Sequence, residues 1–337
     1  MKEAMLYEKI GDKKVQCNLC AHRCKINEGK KGICLVRENR DGTLYTLVYS
    51  RTISQHIDPI EKKPLFHFYP GTTAYSIATV GCNFKCQFCQ NWEISQMVRD
   101  EDLLMGNEAS PKLIVENAKK YGIKSIAYTY TEPTIFFEYA YDTAKLASEA
   151  GIKNVFVTNG FMTEEAIKKI EPYLDAANVD IKSFSDDFYR KLCGAKLQPV
   201  LDALKLMKKL GIWVEVTTLI IPTYNDSSEE LREIAKFIVN ELGEETPWHI
   251  SRFYPAYKLK DKPPTPIETI HKAREIGLNE GLKYVYEGNV PGSKGENTYC
   301  PNCKNLIIER WGYQITKKAI KDGICQHCGY EIDGIGL

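Results

Sequence analysis

Between residues 74 and 290 the chain alternates short apolar runs with amphipathic segments, and few folds accommodate that rhythm. The runs "AYSIATV" (74–80), "IKSIAYTYT" (123–131), "KNVFVTNG" (153–160) and "ANVDIKS" (177–183) are rich in the β-branched and aromatic residues that strands favour. "GIWVEVTTLIIP" (211–222), "PWHISRFYP" (247–255) and "KYVYEG" (283–288) continue the series. Between them lie helix-like stretches. "SPKLIVENAKKYG" (110–122) has Ser110 as a cap, Pro111 at the first helical position and Gly122 as a stop. "EPTIFFEYAYDTAKLASEAG", "TEEAIKKIEPYL", "SSEELREIAKFIVNELG" and "IETIHKAREIGLNEG" follow the same pattern.

About seven such β/α alternations, with strands apolar enough to be buried on both faces, predict an α/β fold. The expected architecture is a parallel sheet with helices outside, in a full or partial (β/α) barrel. In such folds the working side chains stand at the C-terminal ends of the strands. Here those ends read Cys82, Thr131–Glu132–Pro133, Thr158–Asn159–Gly160, Asp180–Ile181–Lys182, Thr217–Thr218 and His249.

The first of these ends runs into "TVGCNFKCQFCQNW" (79–92), which places three cysteines in a C-x3-C-x2-C array. Three is one short of a structural zinc site and odd for disulfides. A 4Fe–4S cluster takes one thiolate per iron, so three thiolates would leave one iron free for an outside ligand. A zinc knuckle that borrows a fourth ligand is the competing reading. This spacing after a first barrel strand resembles the radical S-adenosylmethionine (SAM) enzymes. The resemblance implies that Cys82, Cys86 and Cys89 hold the cluster and that SAM chelates the open iron. It further implies reductive cleavage to a 5'-deoxyadenosyl radical that abstracts hydrogen.

The likeness continues along the chain. Phe88 matches the position that packs near the adenine, and "TYTEPT" (129–134) the segment that grips the methionine amino group. "VTNGF" (157–161) and "VDIKS" (179–183) resemble strand ends of the glycyl-radical activating enzymes, such as pyruvate formate-lyase activase. Val157 departs from that pattern, which usually has Asp before Thr-Asn-Gly. "DPIEKKPLFHFYPGT" (58–72), "GCNFKCQFCQNWEISQ" (81–96) and "PWHISRFYP" together resemble the radical SAM member of the AmmeMemoRadiSam protein set. That likeness implies a 4Fe–4S cluster, SAM, and an external electron donor such as ferredoxin or flavodoxin. Glu132, Thr158, Asn159, Asp180, Lys182 and His249, with Phe88, are the expected contacts to SAM or substrate. The substrate, whether protein, peptide or small molecule, is left open.

The other nine of the twelve cysteines need their own account. "CPNCKNLIIERWGYQITKKAIKDGICQHCG" (300–329) is C-x2-C-x21-C-x2-C, so Cys300, Cys303, Cys325 and Cys328 suit tetrahedral zinc or a rubredoxin-like iron. His327 is then a bystander. "CNLCAHRCKINEGKKGIC" (17–34) offers Cys17, Cys20, Cys24 and Cys34, for which zinc is the first reading and a second iron–sulfur cluster the alternative. His22 is a possible substitute ligand there. Cys193 stands alone; one role for it is hydrogen donation to a substrate radical, the other simple burial. His56 and His67 read as structural. The expected divisions are a Cys-rich segment 1–73, the barrel 74–290 and a zinc-ribbon or rubredoxin-like module 291–337.

Lys plus Arg number 45 against 44 Asp plus Glu, which disfavours bulk nucleic-acid binding. The N-terminal "MKEAMLYEKIGDKK" has no apolar core, and no run is long enough to span a bilayer, so the expected location is the cytoplasm, where clustered cysteines bind metals. A non-catalytic electron carrier or zinc-ribbon binding module is the rival from another class. It would need neither an open iron nor a pocket at the strand ends.

Overall fold

Each of the seven apolar runs is a strand in the computed structural model, which describes residues 1–337. They are β2 (Thr73–Ala78), β3 (Ser125–Tyr128), β4 (Lys153–Thr158), β5 (Ala176–Asp180), β6 (Trp213–Ile220), β7 (Trp248–Arg252) and β8 (Val285–Gly288). All seven pair in parallel and lie side by side in sequence order. A parallel neighbour requires a crossover, and each of the six contains a helix. These are α1 (Pro111–Lys120), α2 (Phe137–Glu149), α3 (Glu164–Ile170), α4 (Gln198–Lys209), α5 (Ser228–Phe237) and α6 (Ile267–Asn279). Helix α1 starts as its sequence requires: the Ser110 hydroxyl accepts from Leu113 N at 3.2 Å, with Pro111 in the first turn. Thr163 and Ser227 cap α3 and α5 in the same way.

The N-terminal segment adds an eighth strand. β1 (Ser54–Pro59) runs antiparallel to β2, with Ser54 opposite Ala78. β1 and β8 are the two edges and do not pair, so the sheet stays open, like the partial form of the expected barrel. Residues 2–46 form two small three-stranded antiparallel sheets.

The floor of the sheet is sealed by the chain between β1 and β2 and by the C-terminal module. That module is a three-stranded antiparallel sheet of β9 (Thr298–Tyr299), β10 (Leu306–Trp311) and β11 (Gln314–Lys318). Phe66, Tyr284 and Tyr286 share one apolar cluster with Ile307, Ile308 and Ile332. The fully buried Arg310 stacks on Phe66 at 4.2 Å. It donates to Phe66 O at 3.0 Å, Thr298 Oγ1 at 2.7 Å and Glu296 O at 3.2 Å. The last residues add backbone bonds, Tyr69 N to Ile335 O at 2.7 Å and Ile335 N to His67 O at 2.8 Å. The module is thus knitted to the sheet rather than appended to it. No helix is long and apolar enough to cross a membrane.

Candidate functional site

The C-terminal strand ends converge on a cavity of about 470 Å³. Cys82, Cys86 and Cys89 face it together with Thr131, Glu132, Thr158, Asn159, Asp180 and Lys182. The cysteine loop leaves β2 through Gly81, whose φ of 98° and close approach to Val36 exclude a side chain. The turn at Leu192–Cys193 then holds the loop from behind. Lys85 N donates to Cys193 O at 2.7 Å and Gln87 N to Leu192 O at 3.0 Å. Cys89 Sγ meets Ser95 Oγ at 3.2 Å. Three cysteines on one short loop, all bordering one cavity, are the donor set a three-thiolate iron–sulfur cluster needs, and no fourth cysteine lines that cavity. Burial pushes the Cys82 and Cys89 thiols up, and the neighbouring Cys193 thiol followed by burial does the same at Cys86. Metal binding here must therefore displace thiol protons.

Glu132 organises the wall. Its Oε1 accepts from Thr134 N at 3.1 Å, Thr134 Oγ1 at 2.5 Å and Thr158 Oγ1 at 2.7 Å, and its Oε2 from Asn159 N at 2.8 Å. Burial pushes its carboxyl up, and these donors pull it back. One charge thus clasps the ends of β3 and β4. Asn159 Nδ2 in turn reaches Asn83 Oδ1 at 2.8 Å, tying β4 to the cysteine loop. Asp180 and Lys182 form an ion pair at 2.9 Å. Burial opposes the Lys182 ammonium, but Asp180 and the Cys86 and Cys193 thiols outweigh it, so it stays protonated beside the cysteines.

Three expected residues do not line the cavity. Phe88 is buried against Phe188, with the Lys182 ammonium 5.9 Å from its ring centre. Cys193 is fully buried behind the loop, next to Cys86. His249 belongs to the sheet interior instead: Nε2 meets Glu215 Oε2 at 2.6 Å, between Phe66 and Tyr286. It sits near the start of β7 rather than its end, because that strand begins at Trp248. Glu215 also accepts from Phe66 N at 2.9 Å and His67 N at 2.8 Å, so the pair anchors the floor.

A second wall was not read from the sequence. Lys62, Lys63 and Tyr130 line the cavity, and Tyr313 reaches it from the C-terminal module. Asp58 Oδ2 meets Lys63 Nζ at 2.6 Å and also takes the Tyr130 hydroxyl, while Lys62 Nζ reaches Oδ1 at 2.9 Å. Burial pushes the Lys63 ammonium down to about 8 against the pull of Asp58. Tyr130 has φ 62°, a left-handed conformation rare outside glycine. The signal was present in "DPIEKKP", but it lies before the strand rather than at its end.

The terminal cysteines fall into two geometries. Cys300, Cys303, Cys325 and Cys328 place their sulfurs within 4.8 Å of one another. Cys300 and Cys328 are 3.7 Å apart and Cys303 and Cys325 3.9 Å, close to the edge of about 3.8 Å that four 2.3 Å metal–sulfur bonds give a tetrahedron. Hydrogen bonds from the backbone and side chain of Asn305 draw the Cys303 thiol down, which favours the thiolate that a metal takes. Cys17, Cys20, Cys24 and Cys34 instead surround a small hollow beside Ile135. A larger cleft of about 760 Å³ between α6 and the C-terminal module contains none of the three-cysteine loop.

The family model for the radical SAM superfamily matches residues 76–238, the stretch that carries the cysteine loop and β2 to β6. The chain is 53% identical over 335 residues to an uncharacterized protein of Methanocaldococcus jannaschii, covering 99% of each. It is 29% identical over 223 residues to the pyruvate formate-lyase-activating enzyme of Clostridium pasteurianum, covering 61% of this chain and 89% of that one. A radical SAM methyltransferase structure from Sphaerobacter thermophilus shares the fold with TM-score 0.51 and 17% identity, over 68% of this chain and 71% of the other. Its likeness bears on the fold alone. With the cysteine loop at the mouth of a mostly parallel sheet, these matches show that the chain carries a radical SAM domain over residues 76–238.

Proposed function

We propose that this protein reductively cleaves SAM and uses the product radical to abstract hydrogen from a second substrate. The observation that carries the reading is the shared cavity: Cys82, Cys86 and Cys89 open onto the same space as the polar ends of β3, β4 and β5. Cys82, Cys86 and Cys89 would hold a 4Fe–4S cluster, which when bound would supply the electron that splits SAM into methionine and a 5'-deoxyadenosyl radical. The residues around it bind and orient. The clasp of Glu132 on Thr158 and Asn159 fixes the wall that SAM would lie against. Lys182, held protonated by Asp180, places a positive charge near the thiolates and offsets part of their mutual repulsion. The backbone bonds to Cys193 O and Leu192 O hold the cysteine loop against the turn behind it.

The second substrate is a protein segment, a peptide or a small molecule that enters past Lys62, Tyr130 and Tyr313, which border the cavity. The activating enzyme among its relatives supports a glycyl-radical role, and Val157 argues against pyruvate formate-lyase itself. A low-potential donor such as ferredoxin or flavodoxin supplies electrons. The C-terminal four-cysteine set holds one tetrahedral ion, zinc being the reading its spacing supports. EPR tests the SAM site. The spectrum of the dithionite-reduced protein should change when SAM is added, and the responsive component should be missing after Cys82, Cys86 and Cys89 are changed to Ala. A spectrum indifferent to SAM would refute the proposal.

A further inference from the structure

The N-terminal cysteines are arranged unlike the C-terminal ones. Strand pairing brings the first and third together, with Cys17 N donating to Cys24 O at 2.9 Å. Cys20 bridges to Met162 at the edge of β4's loop, and Cys34 enters from the next turn. All four border one small hollow of about 20 Å³, walled by Leu19, Ile26 and Ile135. No three of their sulfurs lie within 4.8 Å of one another, whereas all four C-terminal sulfurs do. A single zinc draws its sulfurs to about 3.8 Å, so this wider cage does not fit one ion. The central trio Cys82, Cys86 and Cys89 shares the wider spacing.

A second observation points into the same hollow. Arg37 lines it and is 1% exposed, yet its Nε and Nη1 have no hydrogen-bond partner. Only Nη2 is used, on Glu138. A buried guanidinium with two idle donors is costly unless something accepts from them. The sulfides and thiolates of a cluster are such acceptors, and they carry the negative charge that Arg37 would meet.

The hollow also backs onto the central loop. His22 Nε2 lies 2.9 Å from Asn83 O, and Arg99 Nη2 reaches Ile33 O at 3.2 Å and Cys82 O at 3.5 Å. A Cβ on Gly81 would stand 3.4 Å from Cys34 O. Cys20, Cys24 and Cys34 are only partly buried, which leaves a route to the surface.

We infer that Cys17, Cys20, Cys24 and Cys34 hold a second 4Fe–4S cluster, which passes electrons to the cluster on the 82–89 loop. The zinc reading of these four residues is set aside on their spacing. The relay rests on the function proposed above; the metal site does not. In each turnover a reduced flavodoxin or ferredoxin gives one electron to the second cluster, which hands that electron on. No bond or proton changes there.

The full chain with Cys82, Cys86 and Cys89 changed to Ala isolates the site. After anaerobic reconstitution it should hold about four acid-labile sulfides and a reducible cluster signal. A chain with zinc and no sulfide at this site would overturn the assignment, and the C-terminal set cannot mimic the result because a lone iron or zinc brings no sulfide. In the otherwise intact protein, Cys20→Ala should remove about half the sulfide. It should spare deoxyadenosine formation driven by dithionite but slow the flavodoxin-driven rate by about tenfold or more. An unchanged flavodoxin-driven rate would overturn the relay. If the native protein cleaves no SAM with dithionite, the proposed function fails, while the sulfide count still decides the metal site.

Discussion

Replacing Glu132 by Gln tests whether the cavity wall is built on a charge. The four bonds to Glu132 run in one direction, because Gly160 N already donates to Thr158 Oγ1 at 3.1 Å, leaving that hydroxyl to donate to Glu132. A backbone N–H faces each carboxylate oxygen, Thr134 N at Oε1 and Asn159 N at Oε2. Whichever way the amide turns, its NH2 meets a backbone donor. The variant loses a charge-assisted bond and strands a buried N–H. Each effect is worth about 1–3 kcal/mol and they overlap, so the expected loss is about 3 kcal/mol. Urea unfolding of Glu132→Gln under anaerobic conditions should show that loss, and SAM binding should weaken because Thr158 and Asn159 lose their tether. If the variant matched the native protein in both, Glu132 would be a protonated acid rather than the ionised clasp described here.

Three further outcomes follow from other parts of the molecule. Arg310→Met should cost about 3–5 kcal/mol, since it strands the fully buried Glu61 carboxylate 3.9 Å away, and limited proteolysis should then cut within residues 291–337 first. Burial pushes His67 down to about 4 from its ordinary 6.5, with Nδ1 facing Asp333 O and Nε2 the Tyr286 hydroxyl. The unfolded chain takes up a proton that the folded one refuses, so this stabilisation is complete above pH 6.5 and is lost progressively as pH falls towards 4. By pH 5 the loss is about 2 kcal/mol, and urea titrations of His67→Gln should show a correspondingly flatter pH slope. Mixing the reduced protein and SAM with pyruvate formate-lyase should give no glycyl radical by EPR, because Val157 breaks the activase pattern.

Most of the fold was legible because its signals are local. Alternation of apolar runs, Ser110 as a cap, and a cysteine array directly after a strand all act within a few residues. The residues that escaped depend on long-range packing. Glu215 reads as one charge in an apolar strand, and its meaning appears only when Phe66 and His67, about 150 positions earlier, bring their N–H groups to it. His249 was misplaced for the same reason: the sequence does not say where β7 begins relative to its neighbours, and the register pairs His249 with Thr217, facing Glu215's end of the sheet. The wall of Lys63 and Tyr130 was missed because what joins them is Asp58, on β1, an antiparallel strand outside the repeating pattern. The difference between the two outer cysteine sets is likewise spatial. Spacing along the chain suits a metal in both, and the distances between sulfurs separate them.

The central claim is that Cys82, Cys86 and Cys89 support reductive SAM cleavage in the cavity at the strand ends. The direct measurement is 5'-deoxyadenosine formed from SAM and dithionite by the anaerobically reconstituted protein, beside its Cys86→Ala variant. The native protein should form it and the variant should not, with iron lost from the central loop. Deoxyadenosine from the variant, or none from a fully loaded native protein, would contradict the account.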